Sequence, residues 1–311
     1  MTSGDATGAR PPADPASEGR DMNPPAGPQR RVADAGRMVH PGPRTTPRVQ
    51  AARTRLVQVQ GTLQAGETVL AGVARTFAEA GCRGGTVFLD GVVCDPLVYV
   101  LPALSTDGVH AAWYSDTIAP VGTTRILRAT ASVGQRDGHP FLHCHGLWDT
   151  GAGSPAMGHL LPAESRVAED CRITGVGARD AWFDSRPDPE TRFTLFRVSG
   201  GGAGDGLLAR VAPGEDVATA IEDLCAAHGI ADAAVHGLGS IDHIRFADGA
   251  RVDCLATELR LDGARVERGR AILPIDVVDI DARVHAGTLT HGDNPVGVTL
   301  EILIDPLKDR S

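Results

Sequence analysis

The chain has 311 residues, 42% of them hydrophobic, and a formal net charge of -9; it is too long for one ordinary domain and suits two, each with its own core. Nine arginines against five acidic residues lie within 1–55, which leaves the rest of the chain close to -13. A body this acidic repels a phosphate backbone, so only the N-terminal arm has the sign that nucleic acid requires. No uncharged apolar run reaches the roughly 18 residues of a membrane span, and the first residues lack the apolar core of a secretory signal. A soluble, cytoplasmic protein is expected. The six cysteines are spread singly with no C-x-x-C pair, which predicts buried thiols rather than a disulfide framework or a cysteine zinc site.

In chain order, residues 1–50 hold nine of the 21 prolines and no apolar periodicity, a composition that predicts a disordered, Pro/Arg-rich arm. Met1, Met22 and Met38 are all plausible starts within it. Next comes an internal repeat: Leu63 to Val93 lies over Val211 to Ile241 at a constant offset of 148, without a gap. Gly66 and Glu67 match Gly214 and Glu215, Gly81 matches Gly229, and Gly91 matches Gly239. In each copy apolar residues recur at helical spacing, through Val69, Val73 and Phe77 and through Val217, Ile221 and Leu224. Glu67 and Glu215 are expected in the first helical turn and Gly81 and Gly229 at left-handed helix ends. Short β-rich runs follow each helix, among them the alternating "TTRILRATASV". The reading is α+β: two tandem domains, each a mostly antiparallel sheet with a packed helix. "TGVGARDAWFDSRPDPE" and "SGGGAGDG" read as loop and linker, with a strand between them. The boundaries that follow are an arm at 1–50, a first domain at 51–178, a connecting segment and linker at 179–205, and a second domain at 206–306.

Four of the eleven histidines fall within "HPFLHCHGLWDTGAGSPAMGHL". On a strand, His143 and His145 point to one face while Cys144 points to the other, so both imidazoles can reach one ion. A turn-rich loop then returns the chain and brings His159 toward the same face. Three neutral imidazoles suit Zn, Fe, Ni, Co or Cu and leave a fourth position for water or substrate. Spacing alone leaves a hydrogen-bonded polar patch as an equal alternative. His139, interrupted by Pro140, reads as a loop or supporting group, and Asp149 as a turn former.

These residues resemble the PPC (plants and prokaryotes conserved) domain family, many of whose bacterial members are described as DNA-binding. The family pattern is roughly G-x-P-x-x-H-x-H, a loop, then G-G-H-L. Gly138, Pro140, His143, His145, Gly158, His159 and Leu160 match it, and Met157 stands where the first glycine of G-G-H usually lies. The resemblance covers about 55–173 well and about 207–304 more weakly. It implies an α+β fold, association into trimers, and a divalent metal, zinc above all, held by His143, His145 and His159 near a subunit interface. The second copy keeps His285 and His291 but has no H-x-H, which makes it a degenerate partner that supplies packing surface or a wall of the first domain's pocket.

Three functions compete. The first is binding or transforming a small carbonyl- or carboxylate-containing molecule at the three-His site, as in a metal-dependent hydrolase or lyase; no catalytic residue beyond the ligands is identifiable. The second is a DNA-associated regulator that uses the fold as an oligomerisation platform; the minor-groove R-G-R-P core of plant relatives has only "RGRA" (Arg268 to Ala271) as its nearest match. The third is a non-catalytic, metal-stabilised assembly module. The acidic body disfavours the second, and an open coordination position favours the first over the third.

Overall fold

The computed structural model describes residues 36–307; the start of the arm, with Met1 and Met22, lies outside them. The chain passes from β1 (Val49–Thr54) and β2 (Leu56–Leu63) through α1 (Val69–Glu79) to β3 (Gly84–Phe88). Short strands lead to the long hairpin of β4 (Thr124–Arg136) and β5 (His139–Asp149). Then come β6 (Ala156–Leu160), β7 (Cys171–Ala178), β8 (Ala181–Pro187) and β9 (Thr194–Gly200). The second half opens with β10 (Gly206–Val211), α2 (Val217–His228) and β11 (Ala233–Ile241). Again separated by short segments, β12 (Glu258–Leu261), β13 (Pro274–Val278), β14 (Val284–Thr288) and β15 (Val296–Pro306) complete it.

Two large sheets result. One contains the order β2-β7-β3-β4-β5-β6 and the other β1-β10-β15-β11-β12-β13-β14. Among the described residues all pairing is antiparallel except β4 with β8, where Phe183 lies opposite Gly134 in parallel register. The mostly antiparallel sheets with two helices agree with the fold that the repeat predicts. No helix among the described residues is long and apolar enough to cross a membrane, and all six cysteines are free and buried.

Local chemistry explains the helix ends, with one correction. Thr68 caps α1 by accepting from the Ala71 amide at 3.2 Å, and Asp216 caps α2 by accepting from Thr219 at 2.9 Å; these side chains satisfy amides that have no partner within the helix. Glu67 and Glu215 therefore precede the caps instead of lying in the first turn. Glu67 instead accepts from the Gln64 amide and from Arg75, and Glu215 binds Arg44 and Arg48. Gly229 caps α2 at φ 71°, while the left-handed Gly81 falls one residue past the α1 cap, Ala80.

Most of the stretch read as a loop from Thr174 is strand: the end of β7, which lies between β2 and β3, followed by β8. Its glycines gave the loop signal, yet they are there for packing. A Cβ on Gly175 would stand 3.3 Å from the Phe77 ring and 2.5 Å from the Thr86 carbonyl, and one on Gly177 would stand 2.5 Å from Cys82 Sγ. Bare backbone is what lets this end of α1 and its turn lie close on the sheet. The segment expected as connector likewise contains β8 and β9, which pair from Ala181↔Gly200 to Pro187↔Thr194.

The arm also departs from the expectation of disorder where it is described. His40 Nε2 bonds the Gly297 carbonyl at 2.8 Å, and Arg48 reaches the buried Glu190 at 2.5 Å and Glu215 at 2.9 Å. Arg44 and Arg48 thus find carboxylates from distant sequence. β1 then pairs along β10, from Val49↔Val211 to Thr54↔Gly206, so a strand preceding the first sheet edges the second. The sheets meet through Val176, Phe183, Phe196, Leu208 and Leu303. Phe88 and His236, one repeat offset apart, touch edge to face at 5.0 Å.

Asp216 tests the capping argument, since it also accepts from the Asn294 amide at 2.9 Å. Asp216→Ala is expected to lower stability by about 1–2 kcal/mol, read as a shifted denaturant midpoint at constant slope.

Candidate metal centre

The β4–β5 hairpin fixes the first two histidines. His145 lies opposite Thr130 and His143 opposite Ser132, so the pleat sends both rings to one face. β6 then pairs with β5 so that His159 is directly opposite His145. Gly158 permits this close pairing, since a Cβ there would stand 2.5 Å from the Val100 carbonyl on the next strand. The three histidines that the sequence singled out therefore converge, with ring centroids 4.6 to 5.3 Å apart.

A fourth group arrives from the other sheet. One ligand atom each from His143, His145, His159 and Glu258 lies within 4.8 Å of all the others. Glu258, at the start of β12, makes a short contact from its carboxylate to His145 Nε2. The position expected to stay open for water or substrate is thus faced by a carboxylate. Nothing in "TELRLDG" marks this residue, because an acid on a short polar strand reads as a solvated face.

The hydrogen bonds set the tautomers. His145 Nδ1 is 2.8 Å from the Leu259 carbonyl, which can only accept, so Nδ1 carries the proton. His143 Nδ1 donates to Glu301 Oε2 at 2.6 Å. The two Nε2 atoms, lone pairs outward when the rings are neutral, face each other at 3.0 Å, and Glu258 adds another acceptor beside them. Acceptors packed against acceptors need a positive charge among them, either a proton or a cation. His159 Nδ1 is buried with no hydrogen-bond partner, an orphan of the kind that calls for a functional explanation. This donor set fits a divalent ion bound by three imidazoles and a carboxylate.

Behind the site runs a buried polar chain. Glu301 Oε1 accepts from the Thr299 hydroxyl at 2.8 Å, and Thr299 accepts from Arg210 Nε at 3.2 Å. Arg210 pairs with Asp188 at 3.0 Å, and Arg197 closes on the same carboxylate at 3.1 Å. Burial alone would raise the Glu301 pKa, but the adjacent His143, the Thr299 hydroxyl and the Arg210 charge bring it below the usual carboxylate value. An ionised Glu301 keeps His143 a donor at Nδ1. Here the sequence did carry a signal: Glu301 in "VTLEILI" is a lone acid in an apolar strand, and a charge placed there needs a partner.

The site is one wall of a pocket enclosing about 760 Å³, part of it open to solvent. Trp113, Tyr114 and Phe193 form an aromatic side, with the Tyr114 ring 5.2 Å from His159. Phe141, Phe196 and Arg136 line another part.

The other candidates stay apart. His139 is exposed at the start of β5, and Asp149 accepts from the Gly151 amide as a turn former. His285 pairs with Asp279 at 2.8 Å and His291 with Glu222 at 2.9 Å. Among the described residues no second group of metal-ligand type forms with three or more members. The reason is visible in the hairpins. Asp137-Gly138 and Arg268-Gly269 turn with the same left-handed φ values, 51° and 79° against 48° and 77°. Counted from these turns, Pro274 stands at the place of His143 and Asp276 at the place of His145. Asp276 is paired instead with Arg260 at 2.5 Å and, from the first sheet, with Arg128 at 3.4 Å.

Two outcomes follow. Thr299→Val and Glu301→Gln should each weaken zinc binding about tenfold to a hundredfold by loosening the His143 orientation, measured by competition with a chelating dye. Burial first, then the neighbouring His143, His145 and Arg136, holds His159 neutral well below its ordinary 6.5. As pH falls through 6.5 the unfolded chain protonates this ring while the folded one does not, so its contribution, complete above that value, is lost on acidification. His159→Gln should therefore flatten the acid-side decline in stability of the metal-free protein, followed by denaturant titration at a series of pH values.

Residues 198–308 match the Plants and Prokaryotes Conserved (PCC) domain, the family whose pattern the histidines suggested. The match falls on the half without the H-x-H, the reverse of the expected weighting. No curated protein matches the chain. Among solved structures the chain is similar to a metal-containing protein from Archaeoglobus fulgidus, at 16% identity over 47% of this chain and 97% of that one, with a TM-score of 0.37. It is also similar to a plant- and prokaryote-conserved protein from Pyrococcus horikoshii, at 17% identity over 50% and 97%, TM-score 0.35. A third, from Ralstonia eutropha JMP134, carries a provisional DNA-binding name and matches at 19% identity over 45% and 90%, TM-score 0.35.

Proposed function

We propose that this PCC-domain protein is a metal-dependent enzyme, of hydrolase or lyase type, acting on a small molecule with a carbonyl or carboxylate group. The observation that carries the reading is the convergence of His143, His145, His159 and Glu258 at the wall of an aromatic-lined pocket. A divalent ion bound there, zinc by the donor chemistry, would polarise a substrate oxygen.

The chain's own groups supply the rest. Leu259 and Glu301 hold the two Nδ1 protons and aim the Nε2 lone pairs into the site. Glu258 has two possible uses that one carboxylate can combine, as a fourth ligand and as a proton acceptor beside the reacting oxygen. Trp113, Tyr114 and Phe193 exclude water from one side, which strengthens every charge interaction inside.

The reading includes two tandem PCC-like units of which the second is degenerate, and it includes self-association into trimers and a cytoplasmic location. The contact of Glu258 and Glu301 with His145 and His143 supports an intramolecular version of the arrangement: what the family resemblance puts at a subunit interface, this chain assembles between its own two sheets. The acidic body weighs against a DNA-associated role, and the pocket beside the histidines weighs against a purely structural metal.

Metal analysis of protein purified without a histidine tag tests the proposal. One divalent ion per chain is expected, with none in the double variant His143→Ala/His145→Ala and a reduced amount in Glu258→Gln. Unchanged stoichiometry in the double variant would sink the assignment.

A further inference from the structure

The pocket lining includes a hydroxyl that the metal reading does not use, that of Ser240 on β11. Core packing shows which way it faces. Ile241 of β11, Leu259 of β12 and Leu300 of β15 all point into the apolar core of the second half. Side chains alternate along a strand, so Ser240, Glu258 and Glu301 share the opposite face, the one whose two acids meet His145 and His143. Register then gives Ser240 a neighbour. Leu238 pairs with Arg260 and Gly239 with Leu259, so the next place sets Ser240 opposite Glu258, and beyond it the Ile241 amide donates to Thr257 Oγ1 at 3.0 Å. Directly opposite residues on one face have Cβ atoms about 5 Å apart.

A bulge fixes this hydroxyl. Gly239 pairs with Leu300 but Ile241 pairs with Val296, so β15 holds extra residues at this place. The bulge takes the Val298 amide out of the ladder, and it donates to Ser240 Oγ at 2.8 Å. Gly297 leaves room for the contact, since a Cβ there would stand 3.0 Å from Ser240 Oγ. The Gly297 carbonyl is in turn bonded by His40 Nε2 at 2.8 Å, so the arm pins the bulge from outside. A hydroxyl has two lone pairs and one proton to give. The Val298 amide takes a lone pair, but among the described residues the Ser240 proton has no acceptor, and the Glu258 carboxylate beside it is turned to His145. Ser240 is only 8% exposed, and a buried donor without an acceptor calls for one from the pocket.

Building on the function proposed above, we infer that Ser240 is the substrate-contacting hydrogen-bond donor of this pocket, and that it selects molecules with an acceptor oxygen at the end where the histidines and Glu258 converge. A carbonyl, carboxylate or hydroxamate oxygen takes its proton. Accepting from the Val298 amide polarises the O–H bond and makes it a better donor. A ligand with no acceptor to offer gains nothing from Ser240, and that difference is the basis of selection.

The test is calorimetric titration of the full chain, zinc-loaded, with acetohydroxamate, whose oxygens accept hydrogen bonds, and with imidazole, which has no acceptor left once its lone pair is on a metal. Wild type is compared with Ser240→Ala and Ser240→Cys, the second of which keeps an acceptor for the Val298 amide but is only a weak donor. Both variants are expected to keep the wild-type zinc content and imidazole affinity, and to bind acetohydroxamate about tenfold to a hundredfold more weakly. If loss of the Val298 partner unfolds Ser240→Ala, Ser240→Cys decides alone. Unchanged acetohydroxamate affinity overturns the inference. So does an equal loss for both ligands, which would leave Ser240 a support of the bulge only, and so does a zinc-loaded wild type that binds no acetohydroxamate. A wild type that takes up no zinc is a different result: it ends the metal reading, and the inference with it.

Discussion

The site depends on a clash of acceptors. Two imidazole Nε2 atoms facing each other at 3.0 Å, with the Glu258 carboxylate against one of them, are unfavourable unless positive charge lies among them. The surrounding structure enforces this arrangement. Leu259 and Glu301 take the opposite protons, the β5 pleat fixes the spacing of the rings, and β6 brings a third imidazole whose Nδ1 has no other partner. Groups held in that state are pre-organised for a cation, and little reorganisation would be left for the moment of binding.

Burying such a cluster requires its charges to be satisfied from behind. The chain from Asp188 through Arg210, Thr299 and Glu301 to His143 does this with alternating donors and acceptors, and it belongs mostly to the second half of the sequence. Removing one member leaves an uncompensated buried charge, which costs far more than a surface ion pair. The two halves of the chain thus contribute differently to the centre. The first half presents imidazoles, and the second presents carboxylates and the support that keeps them ionised. In the Arg268-Gly269 hairpin of the second half, Asp276 is neutralised by Arg260 and, across the sheets, by Arg128.

The pocket follows from the same packing. Its walls come from the turn-rich segment near Trp113, from β9 near Phe193 and from the β4–β5 hairpin, so its aromatic character is distributed over segments far apart in sequence. Arg136 belongs to it because β4 continues past the histidine pair on the same face and because Phe141, two residues before His143, offers a ring to stack on.

The sequence by itself determined the repeat, the helix positions, the strand carrying His143 and His145, and the return of His159. Each of these is local: side-chain period, turn residues and cap residues act within a few positions of one another. It read Thr174 to Glu190 as loop because glycine scores as a turn former, whereas Gly175 and Gly177 are bare so that the Phe77 end of α1 can approach the sheet. It misread the arm near Arg48 because the carboxylates that anchor it, Glu190 and Glu215, are more than a hundred residues away. Glu301 was legible in principle as a lone acid in an apolar strand. Glu258 was not, since only the approach of the second sheet gives it a role. Tertiary structure alone decided that the centre is shared between the two sheets, because a contact between distant strands leaves no periodicity in either.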